Sequence, residues 1–165
     1  VTIQTPYVIC NGYMYDTLNE IASHAQLKII LNAVEKGSNP WGCTDYLNQK
    51  KKILNTGADV YALMNEVPVH TKAVLLDDRL SIVGSYNLEM RSTYLDTELM
   101  LVIRSKEINK QLEDGMMEYE SVSRQVLDDG TYYDPYHVKP IELTEKHKRK
   151  VFLVQHLLGW ARDLF

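Results

Sequence analysis

The alternation of apolar and polar positions divides the chain into short strands and longer helices. Residues 1–9 follow a strand pattern through Val1, Ile3, Val8 and Ile9. Pro6 makes its middle irregular or an edge, because proline cannot donate to a ladder. Asn11 is placed to cap a helix over 12–25, with Leu18, Ile21 and Ala22 inward. Residues 27–31, with Ile29 and Ile30 at their centre, read as a buried strand. Gly37, Pro40 and Gly42 mark 35–42 as a loop. Thr44 then caps a helix to Thr56, closed by Gly57, and 59–64 is the next strand. Two βα units therefore precede whatever follows, which predicts an α/β fold: a mixed, largely parallel sheet flanked by helices on both faces.

The next stretch has the same periodicity but different chemistry. Residues 69–76 form a β-branched and apolar run that ends at the turn signal Asp77, Asp78 and Arg79, and 80–83 is its hairpin partner. Side chains alternate along a strand, so His70 and Lys72 share a face about 6.5–7 Å apart. An ammonium and an imidazole at that spacing suit one phosphodiester, the first as a compact cation and the second as nucleophile or proton donor. Gly84 lets the backbone approach a ligand, while Ser85 and Asn87 offer neutral donors to its oxygens. A third run, 97–103, is mostly apolar, which makes Glu98 conspicuous. A carboxylate there is suited to take the second ring N–H of His70 and stabilise its imidazolium. Ser105 caps a long helix over 106–126, with Ile108, Leu112, Met116 and Tyr119 on one face.

Composition narrows the reading. With 165 residues and 45% apolar content the chain is long enough for one core. A net charge of −4 argues against a dedicated nucleic-acid partner. Cys10 and Cys43 make neither a metal-ligand spacing nor a disulfide framework. No run reaches the roughly 18–20 apolar residues of a membrane-spanning helix. We divide the chain into a domain over 1–127 and an extension over 128–165. The extension has a tyrosine-rich, turn-rich part and a final helix capped by Thr144, where Lys146, Lys148, Arg149 and Lys150 precede Phe152, Leu153, Leu157 and Trp160. Basic residues beside an apolar stripe suit peripheral membrane contact through 144–165, or docking on the rest of the fold.

The run His70-x-Lys72-x4-Asp77 followed by Gly84-Ser85-x-Asn87 resembles the HKD motif of the phospholipase D superfamily. Residues 87–92 with Asp96, Thr97 and Glu98 are similar to its bacterial cardiolipin synthase and phosphatidyltransferase branch. The likeness covers roughly 1–117 and includes Pro6-Tyr7 and Ser38-Asn39; the loops at Cys10-Asn11 and 37–43 are then expected to line the cleft. The resemblance implies a phospholipase D-like half, transferring a phosphatidyl group through a phosphohistidine without metal or other cofactor. By the same resemblance Lys72 and Asn87 bind phosphate oxygens, Ser85 assists, Glu98 orients His70, and Asp77 is a structural or inter-motif partner. A phosphatidylglycerol-like phospholipid is the implied substrate, met at the cytoplasmic side of the cell membrane. Family members join two such motifs, and this chain has one. Its partner is then a missing N-terminal half or a second copy. A strand that begins without methionine favours the second half of a longer enzyme, with His70 as its acid–base member. A hydrolase or nuclease of the same superfamily is the alternative, as is a half that binds phosphate without turnover when isolated.

Overall fold

The structure is a computed structural model that describes residues 1–34, 40–129, 131–142 and 145–157. In its main sheet the central strands are β1 (Thr2–Gln4), β3 (Lys28–Asn32) and β4 (Asp59–Leu63), which run parallel. Helix α1 (Gly12–His24) connects the first two, and α2 (Pro40–Leu54) the next two. Asn11 caps α1 as expected, its side chain accepting from the Met14 N–H at 3.0 Å. Helix α2 begins four residues before Thr44, at Pro40, a residue favoured at the first helical position because its missing N–H would be unpaired there anyway. The rest of the loop expected over 35–42 lies outside the described residues. Gly57, at φ +84°, turns the chain out of α2 into β4.

Beyond β4 the direction changes. Strand β5 (Ala73–Leu76) pairs antiparallel with β1, β6 (Leu80–Gly84) with β5, and β8 (Met100–Ile103) with β6. On the other edge β9 (Ser123–Val126) pairs antiparallel with β4, and β10 (Tyr132–Tyr133) with β9. The fold is mixed α/β with helices on both faces, as expected, but antiparallel ladders outnumber parallel ones in the main sheet. A parallel neighbour requires a crossover, usually helical, and here α1 and α2 supply the crossovers for β1, β3 and β4 alone. The return to β5 is an extended segment without a helix, so that strand enters from the opposite end.

Two short strands, β2 (Val8–Ile9) and β7 (Leu88–Glu89), form a separate parallel pair, and α3 (Met90–Tyr94) follows directly. Helix α4 (Lys106–Ser121) is capped by Ser105 and stops five residues before the expected 126. Residues 123–126 instead cover the free edge of β4, where ladder bonds outweigh one more helical turn. Helix α5 (Glu145–Leu157) packs against α2. Among the described residues, no helix is long and apolar enough to cross a membrane.

Strand parity explains the two cores. Ile29, Leu31, Val60 and Ala62 point to one face and are buried with Met14 and Leu18 of α1 and Ile53 of α2. Ile30, Ala73 and Leu75 point to the other and are buried with Met116 of α4. Each of the Ile, Leu, Val and Met side chains among them contributes about 1.5–3 kcal/mol on leaving water.

Candidate active site

The site forms where the segment leading into β5 meets the end of β6 and the start of β8. His70 and Lys72 were expected inside a strand; they lie in the extended segment just before it, because β5 starts at Ala73. The Gly84 N–H donates to the Lys72 carbonyl at 3.2 Å and ties this segment to the end of β6. Gly84 has a specific steric reason to be glycine: a Cβ there would collide with the Leu99 carbonyl and lie 2.9 Å from Met100 Cα. Beside it, the Ser85 N–H donates to the Leu99 carbonyl, and the Leu99 N–H donates to Ser85 Oγ, both at 3.0 Å. This exchange places Glu98 against Ser85.

Free of a regular strand, the Lys72 stem folds back and its ammonium touches the imidazole. Lys72 Nζ is 2.5 Å from His70 Nδ1 and 3.2 Å from Nε2, and donates to the His70 carbonyl at 2.9 Å. Burial and then the Lys72 charge hold the His70 imidazole below its ordinary pKa, with the Glu89 carboxylate opposing them. Burial likewise lowers the Lys72 ammonium, opposed by Glu98 and Glu89. Lys72 is 9% exposed, whereas His70 is open to solvent, so the pair presents its ring outward and its cation from beneath.

The carboxylates are arranged differently from the expectation. Glu98 does not bond to His70; its Oε2 accepts from Ser85 Oγ, and that hydroxyl above all holds its carboxyl below the ordinary range. The register of Leu99 against Ser85 fixes this, since it delivers the preceding side chain to the serine hydroxyl. The carboxylate whose charge bears on both His70 and Lys72 is Glu89, 4% exposed. It accepts from Asn87 Nδ2 at 2.7 Å, Ser92 Oγ at 3.2 Å and Tyr7 Oη at 3.5 Å. Three neutral donors satisfy a buried charge that would otherwise be costly. The Asn87 amide also points at Tyr7 Oη, at 3.4 Å, so its Nδ2 contacts face inward and not toward the opening. Glu89 had a sequence signal of the same kind that singled out Glu98: an acid between the apolar Leu88 and Met90.

The structure thus brings His70, Lys72, Ser85, Asn87 and Glu98 to one end of the β5–β6 hairpin and adds Tyr7, Glu89 and Ser92. Asp77 is at the other end. It occupies the turn with φ +50° and lines a cleft with Lys28, Glu113 and Glu120. Strand β5 lies between it and the His70 segment, so the two residues sit at opposite ends of that strand. Of the loops expected to line the cleft, Asn11 uses its side chain to cap α1 and to donate to Tyr94 Oη, and Cys10 is buried in the core; 37–39 lie outside the described residues. Among the described residues no group of His, Cys, Asp and Glu side chains is arranged to hold a metal.

This architecture has the fold of phospholipase D proteins. The phosphatidylserine synthase of Haemophilus influenzae Rd KW20 matches 99% of this chain over 40% of its own, with a TM-score of 0.64 and 17% identity. Nuc, a phospholipase D family member from Salmonella typhimurium, matches 76% of this chain and 81% of its own, with a TM-score of 0.61 and 15% identity. The chain belongs to the phospholipase D superfamily through the family described as cardiolipin synthase, PLD-like domain, whose model matches residues 1–119. Cardiolipin synthase A of Wigglesworthia glossinidia brevipalpis is 29% identical over 125 residues, which are 73% of this chain and 24% of that protein. The chain spans about a quarter of the length of the curated relatives it matches.

Proposed function

We propose that this chain supplies one of the two HKD motifs of a cardiolipin synthase-like phosphatidyltransferase. The observation that carries the reading is the Lys72–His70 contact, with the Glu89 carboxylate acting on both groups. A phosphodiester repels nucleophiles through its anionic oxygens, so cationic and hydrogen-bond neutralisation carries much of its chemistry. Lys72 is the cation for one of those oxygens. On phosphate binding its ammonium exchanges the imidazole for the anion, and the Ser85 hydroxyl turns its one proton from Glu98 to the anion as a neutral donor. Asn87 acts through Glu89, which it holds in place.

With its pKa lowered, His70 rests unprotonated. The incoming anion and the departure of the ammonium both favour its protonation, so substrate binding prepares it as the general acid. In this reading the second motif, from the missing N-terminal half or another copy, provides the histidine that attacks phosphorus. The new N–P bond forms as the P–O bond to the leaving alcohol breaks, and His70 delivers its proton to that oxygen. His70 then removes the proton of the acceptor hydroxyl, which attacks phosphorus and releases the first histidine. A phosphatidylglycerol-like lipid serves as donor, and the parent protein works at the cytoplasmic side of the membrane.

The test uses the full-length parent protein. His70→Ala should lower phosphatidylglycerol turnover by about 10²–10⁴-fold, the usual contribution of a positioned acid–base group. Equal turnover in the two proteins would overturn the assignment. Hydrolysis of nucleic acid without phospholipid turnover would move the chain to the nuclease side of the superfamily.

A further inference from the structure

The backbone that carries His70 has an unusual support. Residues 64–72 belong to no strand, yet they present the reactive imidazole. Asn32, the last residue of β3 and 4% exposed, reaches across to them. Its Oδ1 accepts the Val69 N–H at 2.8 Å, and its Nδ2 donates to the Val69 carbonyl at 2.8 Å. One carboxamide therefore takes both backbone groups of the residue just before His70, as a neighbouring strand would. The same Nδ2 donates to the Pro6 carbonyl at 3.1 Å, and the Asn32 N–H donates to it at 3.3 Å. Pro6 precedes Tyr7, whose hydroxyl lies against Glu89.

We infer that Asn32 is a positioning residue, a side-chain clamp that fixes the His70 segment and registers it against the Tyr7–Glu89 side of the site. The inference rests on the functional reading of His70 given above. The chemistry of the position is restrictive. It requires one acceptor and two donors from a single planar group, which aspartate lacks and leucine, of similar shape, lacks entirely. Aspartate would also place a buried charge against two carbonyl oxygens. Glutamine has the right groups on a stem one methylene longer, too long for a pair of 2.8 Å bonds at this backbone separation. The sheet thereby extends order beyond its last ladder bond to the residue that needs it.

Amide hydrogen exchange of the full-length parent tests the clamp without any substitution. The Val69 N–H should be protected like the amides of β5, while that of the exposed Val67 in the same segment exchanges freely. Exchange of Val69 as fast as that of Val67 would overturn the inference, whatever the activity. Asn32→Leu and Asn32→Asp, each confirmed folded by circular dichroism, should lose this protection and lower kcat by on the order of 100-fold with KM within about twofold. A folded Asn32→Leu protein with unchanged kcat, or with a rise in KM alone, would also overturn it. Should neither variant fold, the wild-type exchange pattern decides. A parent protein that is inactive on phosphodiesters removes the functional reading and leaves the exchange result to judge the clamp alone.

Discussion

Asn87 Nδ2 stands 2.7 Å from Glu89 Oε1, and this bond turns toward the protein interior a carboxamide that the motif alone would aim at a ligand. Its result is a fixed negative charge beneath the His70–Lys72 pair. The site is a cation and a base tuned from below by a buried acid, and the exposed Glu98–Ser85 pair lies to one side.

Substitutions of the two charges should move the His70 titration in opposite directions. Lys72→Met removes a charge that lowers the imidazole pKa, so the midpoint should rise. Glu89→Gln removes the charge that raises it, so the midpoint should fall further below its ordinary value of about 6.5. Proton NMR of the ring across pH 4–8 (roughly the range over which histidines titrate) reads both. Matching shifts of the same sign would exclude this electrostatic arrangement. The consequence for stability follows from linkage. A histidine whose folded pKa is depressed contributes stability above its unfolded pKa, and that contribution is lost as the pH falls through the folded value. Acidification below about pH 6.5 should therefore weaken the wild-type fold more than it weakens His70→Ala.

Gly84→Ala should cost stability and disturb the site together. The added methyl has no space against the Leu99 carbonyl and Met100 Cα, so β6 and β8 must move apart. Overpacking of this kind costs about 1–3 kcal/mol, which urea denaturation would resolve. The same movement separates Ser85 from Leu99. Thermal unfolding indistinguishable from wild type would show that the strands part more easily than the register implies.

Helix α5 offers a membrane-facing test in the parent protein. Lys148, Arg149, Phe152 and Leu153 are exposed on it. Replacing Lys148 and Arg149 with glutamate should release the protein from vesicles rich in anionic lipid, with each cation near such a surface worth about 1 kcal/mol. Flotation in which both variants bind as well as wild type would leave α5 only its packing against α2.

The sequence carried the local signals and lost the long-range ones. Asn11 and Ser105 announced two helix starts because capping is a matter of four consecutive residues, and both caps are formed. The His70–Lys72 motif was legible because its residue types and spacing are specific. Strand direction was not, since nothing in residues 64–72 declares that the chain returns to β1 from the other end. The helix over 106–126 was overextended for a related reason: residues 123–126 are recruited by β4, some 60 positions earlier. The carboxylate whose charge reaches both His70 and Lys72 was missed because both Glu89 and Glu98 interrupt apolar runs, and only the turn through Asn87 carries Glu89 beneath the pair. Asn32 gave no sign in sequence that it serves a residue 38 positions later.

The folded-back lysine stem has a kinetic corollary. An imidazole already engaged by a neighbouring ammonium is a poor target for stray electrophiles and wasteful side reactions while the cleft stands idle. In the proposed reaction an arriving oxyanion competes for that ammonium, so the substrate itself would unlock the base.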